Sequence, residues 1–284
     1  MNISPAIELI EYTDPYCTWC WGSEPILRHI QEVYKEQVHV SFVMGGLIDD
    51  TAGISDPANG IGGADWQRQV AAHWLDASSQ HGMPVDVSKF VEIVAPISTY
   101  PANIAYEAAK LQDPKVANSY LRRLRELAAT ESGPIHLPQV QADLAEELGL
   151  DRKRFLVDLA GPAKVAFEAD RRLCLERDIR GFPTFLVRKG KREQILRGYH
   201  RFEAFEVAIE LIAGRELVKR QLILSRDAVL EFVRKYSNVA TREVAELFGV
   251  ADDKANTVLN QLVTSKLIEL HRAGTGNMYR DCSR

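Results

Sequence analysis

The sequence predicts an α/β protein with a large helical insertion and a small appended module, and three observations carry that prediction. Two β-patterned segments flank a helix near the start, residues 64–160 show helical periodicity, and after Ser225 the pattern changes to three helices and a hairpin. At 284 residues the chain is long enough for more than one cooperative unit, since domains average roughly 150 residues.

The elements follow in order. Ile7 to Tyr12 mixes β-branched, aromatic and long apolar side chains and stops at Thr13-Asp14-Pro15, as a short strand does. From Cys17, apolar residues at Trp21, Ile26, Leu27, Ile30, Val33 and Tyr34 recur at helical spacing to about Glu36, with Pro25 inside and expected to bend the helix. Val38 to Met44 alternates and then runs apolar into Gly45-Gly46, the pattern of a largely buried strand. Gly53 to Gly63 reads as a loop, and the helical stretch after it is expected to break at Pro84, Pro96, Pro101, Pro114, Pro134 and Pro138. A helix from Ala163 to Arg177 leads to a strand over 180–187 that carries Pro183 near its start, where strand prolines are tolerated. Lys189-Gly190-Lys191 turns the chain into Glu193–Arg197, and Arg201 to Ala213 closes the unit as an amphipathic helix ending at Gly214.

The last segment reads as helices over 226–236, from Thr241, and over 252–266, then a hairpin from Leu267 to Tyr279 turning at Ala273-Gly274-Thr275-Gly276. Three helices followed by a ribbon is the winged-helix order. The expected division is therefore residues 1–62 with 163–214, an insertion over 63–162, and a winged-helix-like module over 225–284.

Composition excludes several function classes. Apolar residues make up 46% and charged ones 26%, as in ordinary globular domains, and no apolar run approaches the ~20 residues of a spanning helix. The net charge of −4 offers no general attraction for nucleic acid or an anionic membrane. In the module, nine basic residues stand against eight acidic ones, the would-be recognition helix opens with Asp252-Asp253, and only Arg272 and Arg280 are placed for a groove. Docking of a protein, or of a second copy of the chain in a homodimer, is the expected use of the module. The opening residues lack a basic segment and an apolar stretch of signal-peptide length, so a cytoplasmic protein is expected.

Four cysteines are too few for a disulfide scaffold, and only Cys17 and Cys20 are closely spaced. They fall in the first turn of a helix, where free backbone N–H groups and the macrodipole favour an anion. Cys17, nearer the tip, is the expected attacking sulfur, and Cys20 is within reach to resolve the mixed disulfide. The competing readings are a zinc half-site and two inert core thiols. A zinc site needs two more ligands, yet Cys174 and Cys282 are isolated and the seven histidines form no ligand pair.

With Asp14-Pro15-Tyr16-Cys17-Thr18-Trp19-Cys20-Trp21 after a strand, and Gly-Phe-Pro-Thr-Phe before a late hairpin, residues 1–214 resemble the thioredoxin superfamily. Within it they are most similar to the DsbA family, whose thioredoxin fold carries a helical insertion, and to its FrnE-like cytoplasmic branch. The resemblance implies that Pro183 is a cis-proline beside the dithiol and that the residue before it pairs with an extended substrate. It implies a thiol–disulfide oxidoreductase or isomerase acting on protein or peptide disulfides, with Cys17, Cys20 and Pro183 catalytic and no metal or organic cofactor. It also implies an alternative, a DsbA-like adaptor that binds a client for a protease, with the dithiol as sensor or relic. A glutathione-using branch typically has serine at the first cysteine, which Cys17 argues against. Phe182 departs from the family, which more often has valine or threonine there, and its ring is expected either to narrow access to the sulfurs or to desolvate the thiolate and raise its pKa.

Among the remaining candidates, Trp19 suits an apolar substrate platform and Trp21 a packed core. Glu24 lies four residues past Cys20 and is read as a solvated glutamate, with proton transfer from the thiol as the rarer role. Asp14 stands early for a helix cap, and His73, His81 and His136 read as surface or satisfied core residues. Cys174 reads as a small buried hydrophobe and Cys282 as a bystander.

Overall fold

The computed structural model describes residues 7–89, 98–214 and 217–282. Its centre is a four-stranded sheet in the order β2-β1-β5-β6, built from β1 (Ile7–Thr13), β2 (Val38–Met44), β5 (Thr184–Lys189) and β6 (Arg192–Arg197). β1 pairs in parallel with β2, from Ile7 opposite Val38 to Thr13 opposite Met44, and antiparallel with β5. A strand with neighbours on both sides and helices on both faces is buried along its length, which is why six of the seven residues of β1 are buried. The crossover between β1 and β2 is α1 (Thr18–Tyr34), with Pro25 inside it, and a short 3₁₀ turn over Lys35–Gln37 replaces the last predicted residues of that helix. This is the thioredoxin arrangement, completed by α8 (Phe202–Ala213), which ends at Gly214 with a left-handed φ of 63°.

Between β2 and β5 the chain forms α2 (Trp66–His81), α3 (Tyr100–Gln112), α4 (Pro114–Thr130), α5 (Pro138–Glu147), α6 (Arg152–Ala160) and α7 (Pro162–Glu176). The helical stretch is divided at Pro101, Pro114 and Pro138, as expected. Each of these prolines opens the helix that follows the break, standing in its first turn, where the missing N–H has no intrahelical partner to lose. The expected break at Pro96 lies outside the described residues. The 53–63 loop is also more ordered than expected, since β3 (Ser55–Asp56) and β4 (Ile61–Gly62) form a small antiparallel ribbon.

One apolar cluster joins the sheet to the insertion, running from Leu9 and Trp21 through Leu124 and Phe155 to Phe205. The C-terminal elements come in the expected order: α9 (Arg226–Tyr236), α10 (Thr241–Phe248), α11 (Asp252–Thr264), then β8 (Ile268–Ala273) and β9 (Gly276–Asp281). A three-residue strand, β7 (Asn238–Ala240), was not predicted and pairs with β9. These elements have their own core around Val229, Phe232, Val244, Leu259 and Tyr279. They do not hang free of the body: α10 lies along α1, and Thr275 at the ribbon turn bonds Val85 and Ser78 of the insertion. Among the described residues no helix is long and apolar enough to cross a membrane.

Candidate functional site

Cys17 is itself the residue that caps α1, with extended backbone angles, and the helix has no acidic side chain in its first turn. Its Sγ accepts the Cys20 N–H at 3.3 Å and lies 3.5 Å from the carbonyl oxygen of Phe182, to which the thiol donates. The Phe182–Pro183 bond is cis, as the resemblance implied, and it brings this carbonyl to the sulfur. Asp14 does not cap the helix as a side chain. One of its oxygens accepts Tyr16 N–H, and the other accepts Leu47 N–H, the Thr99 hydroxyl and the Asn103 amide, so it ties the loop before the thiols to the insertion. Cys17 is 5% exposed and Cys20 is sealed.

Burial raises Cys20 well above an ordinary thiol, the bond and charge of Cys17 add to this, and the carboxylate of Glu11 pushes the same way. Glu11 is the functional candidate that sequence reasoning missed. It sits in the middle of β1, fully buried, where desolvation lifts it to about 7 against the opposing pull of Arg125. Both of its oxygens lie 3.2 Å from Arg125 Nη2, and the Thr13 hydroxyl donates to one of them. A second carboxylate, on the opposite face of the strand from the partly exposed Glu8, was the available signal.

Glu24 corrects its prediction. It is buried rather than solvated, because Arg125 and Arg122 of α4 reach it at 2.5 and 3.4 Å. These cations, with Arg28, outweigh desolvation and hold it below the usual carboxylate range, so it stays ionised and is a poor acceptor for the Cys20 proton.

In front of Cys17 lies a groove of about 810 Å³ lined by Tyr16, Trp19, Leu47, Trp66, His136 and Phe182 among others. Trp19 is half-buried on its wall, edge-on to His73 and His81, whereas Trp21 is core and donates to the carbonyl of Pro84 at 2.9 Å. The Phe182 ring is laid against Gly45, which has no room for a Cβ. Its bulk takes up the space that a side chain at position 45 would fill. His136 faces the Tyr16 hydroxyl at 3.2 Å, and His81 is buried and held neutral, with burial lowering it to about 4. Cys174 is buried and Cys282 exposed, and both are far in sequence from the pair.

A dithiol at a helix tip, the carbonyl of the residue before a cis-proline beside it and a buried carboxyl in the central strand define a thioredoxin-fold protein. The thioredoxin family profile matches residues 11–206, and the chain belongs to that family. Among solved structures, it is similar to a chain from Nitrosomonas europaea described as a candidate protein disulfide isomerase, with a TM-score of 0.64 and 20% identity over 74% of this chain and 98% of that one. It is also similar to the cytosolic disulfide reductase DsbM of Pseudomonas aeruginosa, with a TM-score of 0.55 and 23% identity over 72% and 92%. By sequence it resembles the ClpXP adapter protein SpxH of Halalkalibacterium halodurans, at 29% identity over 96% of this chain and 88% of that one.

Proposed function

We propose that this protein is an adapter that holds a client protein in the groove before Cys17 and presents it to the ClpXP protease. The observation that carries this reading is coverage. The likeness to the SpxH adapter extends over 96% of the chain, whereas the oxidoreductase structures cover only about three quarters of it. The module that an adapter needs for a second contact is held to the body by buried ion pairs between Glu243 and both Arg28 and Arg122. In this reading Cys17, Trp19, Phe182 and Pro183 form the client-facing wall, and localisation is that of the protease.

The test is a proteome-wide pulse-chase. Deleting the gene should lengthen the half-life of at least one protein severalfold, and the effect should vanish in cells that already lack ClpX. Unchanged half-lives would overturn the adapter reading.

The dithiol geometry favours a second reading, protein-disulfide exchange, which an adapter can also use to sense its client. The Cys17 thiolate attacks one sulfur of the client disulfide and the other sulfur leaves as a thiolate. Cys20 then gives its proton to Glu11 and attacks the Cys17 sulfur, freeing the client's remaining thiolate. The product is a Cys17–Cys20 disulfide, which an external dithiol reductant returns to the starting form. Replacing Cys17 by serine separates the readings: client turnover survives in an adapter, while insulin-disulfide reduction disappears.

A further inference from the structure

β2 is the outer strand of the central sheet and pairs only with β1. Gly45 N–H bonds Thr13 on the β1 side, while Met44 N–H points the other way, to Asp170 at 2.8 Å. By the alternation of a strand, the N–H groups of Val38, Val40 and Phe42 also face outward. Val38 N–H bonds the Lys35 carbonyl, which leaves those of Val40 and Phe42 without a partner among the described residues. An unpaired strand edge is a template for another extended chain.

This edge forms one wall of a second cleft, of about 1100 Å³, closed on the far sides by α4 and the C-terminal module. Deep in it, Asn238 is 9% exposed and its Oδ1 has no hydrogen-bond partner among the described residues. The Arg28, Arg122 and Arg123 guanidinium groups on the same lining are already ion-paired. Lys35, Lys115 and Arg280 are not: among the described residues no carboxylate pairs with them, and only Glu36 stands unpaired on the other side of the balance. On a chain whose net charge is −4, this is a local excess of positive charge beside open backbone donors.

We propose that this cleft binds an acidic, extended segment of a partner protein, added as a strand to the edge of β2. Main-chain bonds to Val40 and Phe42 supply the docking frame, Asn238 accepts one further N–H, and Lys35, Lys115 and Arg280 select for carboxylates. The edge strand favours polypeptide over nucleic acid, because it offers a ladder that only another backbone completes. The site is separate from the Cys17 groove and does not depend on the dithiol.

The probe is a fluorescein-labelled peptide of alternating Glu and Val, titrated with the full chain and followed by anisotropy. Binding should weaken as salt rises, and it should fall on the order of tenfold or more when Lys35→Glu, Lys115→Glu and Arg280→Glu are combined. Arg280→Glu alone should lose part of it, which guards against misfolding of the combined variant. Methylating alternate peptide nitrogens should abolish binding, the wild-type complex should protect the Val40 and Phe42 amides from hydrogen exchange, and Cys17→Ser should bind like the wild type. Equal binding of a Lys/Val peptide, wild-type affinity in the folded charge-reversal variants, or tighter binding of a single-stranded oligonucleotide would overturn the proposal.

Discussion

At its first turn α1 presents Cys17, whose sulfur is held by a helix amide and a carbonyl, and from its second turn onward the same helix presents Glu24, Arg28 and Glu32 to charged partners on α4, the module and the segment before it. Both regions are buried, yet they serve opposite ends. Each carboxylate of the second region meets two counter-charges: Glu243 bonds Arg28 at 2.6 Å and Arg122 at 3.0 Å, and also accepts Ala240 N–H. Desolvated groups that compensate one another hold geometry and resist change. A sulfur stabilised only by dipoles can change its bonding without stranding a partner, and that is the property exchange chemistry uses. Glu11 lies between the two regimes: burial raises its proton affinity, and Arg125, which it shares with Glu24, offsets that only in part.

The comparison can be broken at several points. The largest effect is expected from Cys17→Ser, which should reduce insulin-disulfide reduction to the uncatalysed rate while shifting stability by no more than about 1 kcal/mol; urea unfolding and a turbidity assay check both halves. Next is Glu243→Gln, which leaves Arg28 and Arg122 partly uncompensated and should cost roughly 3–5 kcal/mol. Limited proteolysis around residues 217–224 should then accelerate as the module loosens.

Glu11→Gln sharpens the boundary case. Folded Glu11 titrates near 7 and the unfolded residue near 4.5, so between those values the folded chain holds a proton that the unfolded chain has lost. This group therefore lowers stability as pH rises through the window, and the difference between wild type and Glu11→Gln in urea unfolding should carry that slope. The same substitution should slow exchange on the order of tenfold above pH 7, where Glu11 acts as acceptor, and remove the inflection near 7. The smallest effect belongs to Gly45→Ala, which forces the Phe182 ring off its seat and should cost about 1–3 kcal/mol by overpacking, with a measurable change in Cys17 alkylation rate.

Much of this was readable from local pattern. β2 begins and ends at the predicted residues, α9 likewise, and the cysteine pair falls at the helix tip because the strand, the Asp14-Pro15 stop and the apolar spacing after it leave no other register. What was not legible depended on distant partners. Glu24 reads as solvated from its own helix, and its burial is decided by Arg122 and Arg125 about a hundred residues away. Glu11 shows its role only when Arg125 of α4, over a hundred residues further on, is seen to reach it. β7 is too short for any periodicity to mark it.

The ribbon tip of the module has a further consequence. Gly274 is pressed so closely on the Val85 carbonyl that a side chain would collide with it, and Thr275 bonds Val85 through both backbone and hydroxyl. Hairpin ends are ordinarily where evolution lengthens a protein without penalty. Here a single inserted residue would act as a lever against the stretch just behind Pro84, whose carbonyl receives the Trp21 indole. Natural variants of this chain should accordingly keep that turn at fixed length and vary elsewhere.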